Sequence, residues 1–173
     1  VTHQTFRDSE NNWLEPNEVK NVNGKFFDNN DNAVNVGKVE KMSKSKKNVI
    51  DPNTIIDTFG SDTARFFILS DSPPQRDMEW TDEGVEGASR FLNKVWQLIT
   101  DDDYKDIPYQ KINHNNANDF NVFLCTYKTI KNVTQAIDDF HFNIAIANIR
   151  TLFNELSFYK SLTNNNKIIL KFC

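Results

Sequence analysis

From residue 81 onward, apolar side chains recur at steps of three and four. Val85, Ala88, Leu92, Val95, Trp96 and Ile99 form one stripe. Phe120, Phe123, Tyr127, Ile130, Val133 and Ile137 form a second, and Ala145, Ile149, Leu152, Phe153 and Leu156 a third. That period is the period of an α-helix. Three amphipathic helices joined by loops bury their stripes by packing as an antiparallel bundle. The stretch from Asp101-Asp102-Asp103 to Ala117 reads as the first connection, and Asp138 to Phe142 as the second. The aromatic stripes are expected to be core. A hydrophobic fraction of 38% with 14 phenylalanines is enough apolar material for it. The fold class expected is therefore mainly α, a helical bundle preceded by a small β-rich segment.

That segment is residues 1–40. Asn23-Gly24 is a two-residue hairpin signal, followed by Phe26 and Phe27. Ala33-Val34-Asn35-Val36 partly alternates and is expected to end at Gly37. Short strands and turns follow, too thin in apolar pattern to bury a core unaided. Beyond residue 50, Asp51 is placed to cap a helix, and Pro52 suits its first position. Ile55, Ile56 and Phe59 share a face of this helix, and Gly60 stops it. Ser61 is expected to cap a second helix from Asp62 to about Leu69, broken at Ser72-Pro73-Pro74. Gln75 to Trp80 then connects to the bundle.

Charge and cysteine content narrow the function. A net charge of −4 and a pI near 5.4 argue against a surface that grips nucleic acid throughout, but leave room for a local basic site. Cys125 and Cys173 have no CxxC partner, so neither a disulfide framework nor a zinc site is expected, and a reducing cytosol fits. No apolar run approaches membrane-spanning length and no secretory signal opens the chain, so the expectation is cytoplasmic with no membrane partner. The Asn-rich runs around Asn29–Asn32 and Asn164–Asn166 read as compositional bias in surface loops. Self-contained catalytic motifs are missing: there is no GxGxxG, P-loop or HExxH, and no Ser/His/Asp set. His3, His114 and His141 are far apart in sequence. His141, between Phe140 and Phe142, reads as a packing or hydrogen-bonding residue, and Asp138 and Asp139 as a turn.

One stretch departs from the acidic background. Lys38, Lys41, Lys44, Lys46 and Lys47 place five lysines in ten positions. The run is either a solvated surface loop or a flexible clamp for something as anionic as a triphosphate. Its lysines repel one another, and only Val39 and Met42 are apolar, so mobility is expected between Lys38 and Asn48.

The core of that run, Lys41-Met42-Ser43-Lys44-Ser45, is similar without substitution to KMSKS, the second signature of class I aminoacyl-tRNA synthetases. The flanks narrow the resemblance. Asp57 to Leu69, Ser72-Pro73-Pro74, Asp77-Met78-Glu79-Trp80 and above all Gly84-Val-Glu-Gly-Ala-Ser-Arg-Phe-Leu-Asn-Lys-Val-Trp96 resemble bacterial-type leucyl-tRNA synthetase. Phe140 to Ala147 resembles a later helix of that family's bundle. Val1 to Arg7 and Asn12 to Pro16 resemble the strand-rich region ahead of the signature. The likeness runs to about residue 156.

The resemblance implies a part of a leucine–tRNA ligase, which activates leucine with ATP and passes it to tRNA(Leu). Lys44 and Lys41 would be the catalytic cations at the ATP phosphates. Met42, Ser43 and Ser45 would shape the loop around the nucleotide. ATP would come as substrate with Mg2+. Arg90 and Lys94, four apart on one helix, would face tRNA, or would instead pair with Glu86 and Asp82. Lys47 stands where many class I enzymes have glycine. The domains implied are 1–40 as the β-rich segment, 41–80 as the end of the catalytic domain, and 81–173 as a partial anticodon-binding bundle. A His-x-Gly-His signature, an amino-acid pocket and an editing domain are not visible, and Ser157 to Cys173 does not continue the bundle. The expectation is a fragment, inactive alone, that acts with the remaining portion of the synthetase. A non-catalytic remnant, or an RNA-binding helical module from a truncated or split gene, is the alternative. A class I enzyme for another aliphatic amino acid is disfavoured by the run ending at Trp96.

Overall fold

The computed structural model describes residues 1–73, 75–100 and 117–159. The expected linker over 101–116, with His114, and the tail beyond Tyr159, with Cys173, lie outside the described residues. Among the described residues the fold is mixed, with five strands and five α-helices. Two compact units are formed: residues 1–64 with 76–86, and residues 65–75 with 87–173.

The first unit is built on a three-stranded antiparallel sheet. Its order is β2 (Trp13–Leu14), β1 (Thr2–Arg7), β5 (Asn35–Lys41). A separate hairpin pairs β3 (Val19–Val22) with β4 (Lys25–Asp28). As expected, Asn23-Gly24 closes it, with φ of 52° and 81°. Positive φ at both positions lets the turn follow the right-handed twist of the strands. Phe26 of the hairpin meets Phe6 of β1 with ring centroids 5.3 Å apart.

Two turns of this unit share one design. In Asp8 to Asn12, Asp8 Oδ1 accepts from the N–H groups of Glu10 (2.9 Å) and Asn12 (2.8 Å). In Asp28 to Asn32, Asp28 Oδ1 accepts from those of Asn30 and Asn32, both at 2.8 Å. Each Asp Oδ2 takes a further bond from the side-chain amide of the last Asn, at 3.0 Å. The fourth residue is left-handed in both, Asn11 at φ 69° and Asp31 at φ 63°. Asn and Asp tolerate that conformation better than other non-glycine residues. The Asn-rich run at 29–32 is thus a built turn, not mere compositional bias. The amide bonds from Asn12 and Asn32 hold the Asp8 and Asp28 carboxyls below the usual aspartate range.

β5 does not end at Gly37, as the sequence suggested. It continues to Lys41, paired Thr2↔Lys41, His3↔Glu40, Gln4↔Val39, Phe6↔Val36 and Arg7↔Asn35. Three residues of β5 are spanned by two of β1, so an extra residue forms a bulge at Gly37-Lys38, opposite Thr5. Thr5 is buried at 1% exposure, and its hydroxyl donates to Lys38 O at 2.8 Å. A Cβ on Gly37 would collide with that hydroxyl. The segment expected to be a plain connector extends the sheet: Thr2 N–H donates to Met78 O (2.7 Å) and Trp80 N–H to Thr2 O (2.9 Å). Met78 and Trp80 are buried.

α1 (Pro52–Phe59) is capped as expected, Asp51 accepting from Asn53 N–H at 2.9 Å, and it ends at Gly60 with φ 85°. α2 (Ser61–Asp71) starts one residue earlier than expected: Gly60 O already accepts from Ala64 N–H, so Ser61 is inside the helix.

In the second unit α4 (Ala117–Asp138) and α5 (Phe142–Tyr159) form a helical hairpin. The turn places Phe140 at φ 58°, and His141 N–H donates back to Ala136 O at 2.7 Å. His141 O in turn receives the N–H groups of Ile144 and Ala145, so it opens α5. The second and first stripes need correction. On α4 the buried side chains are Val122, Thr126, Thr129 and Ala136, and Val122 clusters with Leu152 and Leu156. Phe120, Tyr127, Ile130 and Ile137 are exposed, Tyr127 at 64%. Small and β-branched residues make the buried part of the contact face, Phe123 of the expected stripe packs against the same cluster with Cys125, and Ala136 and Ala145 are both buried towards the turn. On α3 (Asp82–Thr100) Trp96 is 68% exposed, while Leu98 is buried. Phe91, absent from the expected stripe, stacks on Phe66 of α2 (5.4 Å) and meets Phe153 edge-on (5.3 Å). The Arg150 guanidinium lies over Phe66 and Phe91, at 5.2 and 4.9 Å from their centroids.

Candidate functional site

The lysine-rich stretch is the last part of β5, a short turn and a return. Lys41 closes the ladder opposite Thr2. Met42 prolongs it, its N–H donating to Val1 O at 3.2 Å. Ser43 is extended and leads into a single 3-10 turn over Lys44–Lys46, with Lys46 N–H donating to Ser43 O at 3.2 Å. The Ser43 and Ser45 hydroxyls share a hydrogen bond of 2.7 Å. Lys47 is left-handed, φ 53° and ψ 19°. That conformation costs a side-chain-bearing residue about 1–2 kcal/mol and suits glycine.

Beyond Val39 and Met42, the two apolar residues of this stretch, polar contacts hold its backbone. Asn48 is 1% exposed and fully bonded. Its Oδ1 accepts from Ser43 N–H at 2.9 Å. Its Nδ2 donates to His3 O and Glu40 O, both at 3.2 Å, with Lys41 O at 3.5 Å. Each such bond contributes on the order of 1 kcal/mol net, and a buried partner left without one costs about 1–3 kcal/mol. Lys46 adds an ion pair to Glu40. The sequence marked Asn48 only as the end of the stretch and did not mark Glu40; the available signal was a single amide between a basic run and a helix cap, in a chain full of asparagine.

What the anchors leave free matters most. Lys41, Lys44, Ser45 and Lys47 are exposed, and Met42 and Ser43 half-buried. Among the described residues Lys41 and Lys44 have no ion-pair partner. The turn therefore presents ammonium groups to solvent from a hydrogen-bonded backbone. Such groups can stabilise negative charge on a bound phosphate chain, and they act best where their positions are set in advance.

The other named residues sit elsewhere. Arg90 is exposed and folds back along α3, its guanidinium 3.8 Å from where a Cβ on Gly87 would stand. Lys94 is exposed on the rim of a shallow hollow of about 400 Å³ shared with Gln97, Leu98, Phe153, Asn154 and Ser157. His3 borders a cleft of about 250 Å³ with Phe6, Phe26, Glu79, Trp80 and Asp82. Burial lowers the His3 pKa below its usual 6.5, against the opposing pull of Asp82 and Glu79. Among the described residues no three His, Cys, Asp or Glu side chains cluster as metal ligands. No described helix is long and apolar enough to cross a membrane.

Residues 32–81, which contain this turn, match the family "tRNA synthetases class I (I, L, M and V)". The leucine–tRNA ligase of Hyphomonas neptunium is 43% identical over 159 residues, 90% of this chain and 18% of the relative. The chain belongs to the class I tRNA synthetases, on their leucine branch. The leucine–tRNA ligase of Orientia tsutsugamushi is also 43% identical, over 166 residues covering 94% of this chain and 19% of the relative. Among solved structures, a ternary complex of Agrobacterium radiobacter K84 agnB2 LeuRS, tRNA and LeuAMS matches with a TM-score of 0.66 and 27% identity. That match covers 76% of this chain and 18% of the other. The chain of this synthetase family thus spans about a fifth of the length of its relatives.

Proposed function

We propose that this chain supplies the phosphate clamp and tRNA-facing helices of a leucine–tRNA ligase. In leucine activation, a carboxylate oxygen of leucine bonds to the α-phosphorus of ATP. The bond from that phosphorus to the bridging oxygen breaks, and pyrophosphate departs with the electron pair. Negative charge grows on the leaving group, and Lys44, supported by Lys41, is the cation that meets it. Met42, Ser43 and Ser45 shape the turn against the nucleotide, which enters as its Mg2+ complex. Residues 41–80 close the catalytic domain, 1–40 form a β-rich segment ahead of it, and 81–173 form part of an anticodon-binding bundle, where Lys94 and Arg90 face tRNA(Leu). The working place is cytoplasmic.

The observation that carries this reading is two exposed ammonium groups, Lys41 and Lys44, without an ion-pair partner among the described residues, at and beside an anchored turn in a sequence whose relatives are leucine–tRNA ligases. Lys44→Ala in a complete ligase carrying residues 1–100 of this chain is expected to slow leucine-dependent pyrophosphate exchange by about 10²–10³-fold, the loss typical of one preorganised electrostatic contact. Stability should change little, since the side chain is solvated. Exchange at the unmutated rate would remove the clamp from Lys44. Replacing Lys94 in the same ligase should lower the salt slope of tRNA binding by about one phosphate contact; an unaltered slope would leave it a surface charge. The alternative, a non-catalytic RNA-binding remnant, predicts that the unmutated hybrid ligase itself forms no leucyl-adenylate.

A further inference from the structure

The clamp reading rests on the ammonium groups of Lys41 and Lys44, yet neither side chain holds the turn in place. We propose that Asn48 is a positioning residue for leucine activation: it fixes the backbone from which Lys44 projects, and so sets where that cation meets the ATP phosphates. The inference rests on the clamp reading above.

Three features carry it. First, Asn48 is buried at 1% exposure at the end of the most basic stretch of the chain, where its neighbours Lys47 and Val49 are exposed. Burying a polar side chain beside a solvated run is unfavourable unless its bonds are all made. Second, its partners are of both kinds. Ser43 offers an N–H, whereas His3 and Glu40 offer carbonyl oxygens. A carboxylate could accept from Ser43 but would face the two carbonyls with repulsion, and a hydroxyl is too short to span all three. Third, the partners are placed to transmit position. His3 and Glu40 lie directly opposite each other in the β1–β5 ladder, and Ser43 immediately precedes Lys44. One amide therefore ties the sheet to the first residue of the turn. Left-handed Lys47 folds the chain back so that Asn48 arrives beneath Ser43, and the Lys46–Glu40 ion pair ties the far side of the turn to the same strand. Every anchor falls on the flanks of Lys44, and the Lys44 side chain is left free.

The test uses the same complete ligase carrying residues 1–100, with Asn48→Ala, Asn48→Asp and Lys44→Ala. Two single-turnover rates are read: formation of leucyl-adenylate, and transfer of leucine to tRNA from adenylate formed beforehand. Misplacing a catalytic group by about 1 Å costs up to roughly 10²-fold. Asn48→Ala and Asn48→Asp are therefore expected to slow adenylate formation about 10–100-fold, with the KM for leucine within about twofold of the unmutated value. Transfer, in which a tRNA hydroxyl attacks the leucyl carbonyl and AMP rather than pyrophosphate departs, should keep its rate. Equal slowing of both steps would mean that Asn48 only stabilises the fold, and unmutated rates in both would mean that it positions nothing; either result overturns the proposal. If Lys44→Ala alone leaves adenylate formation untouched, the clamp reading fails and this inference goes with it; if Lys44→Ala slows it but the Asn48 variants do not, only the inference fails. Should the variants not fold, the unmutated ligase still decides. The Ser43 amide, bonded to Asn48, should exchange hydrogen at least about tenfold more slowly than the Lys44 and Ser45 amides, and equal exchange would overturn the proposal.

Discussion

Replacing Gly37 by Ala probes the bulge that carries β5 toward the lysines. Gly37 has an ordinary extended backbone, so conformational strain is not the issue; space is. A Cβ there would strike the Thr5 hydroxyl, with Thr5 O only 3.3 Å and Thr5 Cβ 3.5 Å away. Thr5 cannot swing clear without loss. It is β-branched and 1% exposed: one χ1 rotation exchanges the hydroxyl for the methyl group, and the other clears the site only by giving up the hydroxyl's bond to Lys38 O. Either the hydroxyl gives up its 2.8 Å bond to Lys38 O, or the two strands part. Losing that bond from the buried Thr5 hydroxyl costs about 1–3 kcal/mol. Gly37 is itself exposed, so the cost falls on the buried Thr5, and displacing it to admit one extra carbon takes about 1–3 kcal/mol more, some of the two being shared. A destabilisation of roughly 2–4 kcal/mol follows.

Urea unfolding measures it in a Trp13→Phe/Trp96→Phe background, where Trp80, 8% exposed in the first unit, is the fluorescent reporter. A double-mutant cycle then tests the cause. With Thr5→Ala already present, the hydroxyl is gone and the penalty of Gly37→Ala should fall by at least about 1 kcal/mol. A penalty that is the same in both backgrounds, or that stays below about 0.5 kcal/mol, would refute the steric argument.

Two further expectations come from the turns. Asp8 and Asp28 titrate below the ordinary aspartate value of 3.8 because Asn12 and Asn32 donate to their ionised carboxylates. Their stabilisation is complete above the unfolded-state pKa and is lost as pH falls through the lower folded-state one. Carboxyl carbon NMR should show depressed midpoints for both, with the Asn12 and Asn32 amides exchanging faster over the same acid range; ordinary midpoints would refute the shared turn design. Lys47→Gly should raise the urea midpoint of the first unit, since relieving a left-handed side chain gains about 1–2 kcal/mol and the added freedom of the unfolded glycine takes back up to roughly 1 kcal/mol. A lowered midpoint would show that the Lys47 side chain contributes more than its backbone costs.

The parts of this molecule legible in the sequence are those where one or two residues decide the local backbone alone. Asn23-Gly24 dictates its hairpin because both positions need positive φ, and Asp51-Pro52 with Gly60 brackets α1 by the same kind of local rule. The parts that escaped need a partner distant in sequence. Gly37 looks like a strand end until Thr5 is set opposite it, 32 positions earlier, and then it is the only residue type that fits a bulge inside the strand. Periodicity found α4 but not its buried face, because Phe120, Tyr127, Ile130 and Ile137 outweigh Thr126, Thr129 and Ala136 in any apolar count. Close helix contact at that face depends on small size, and hydrophobicity does not report it. The candidate site divides along the same line. Its charge, Lys41 and Lys44, is visible in five adjacent letters. Its rigidity is not, because Asn48 works through the carbonyl of His3, 45 residues away, and a buried amide has no signature of its own in a run of lysines.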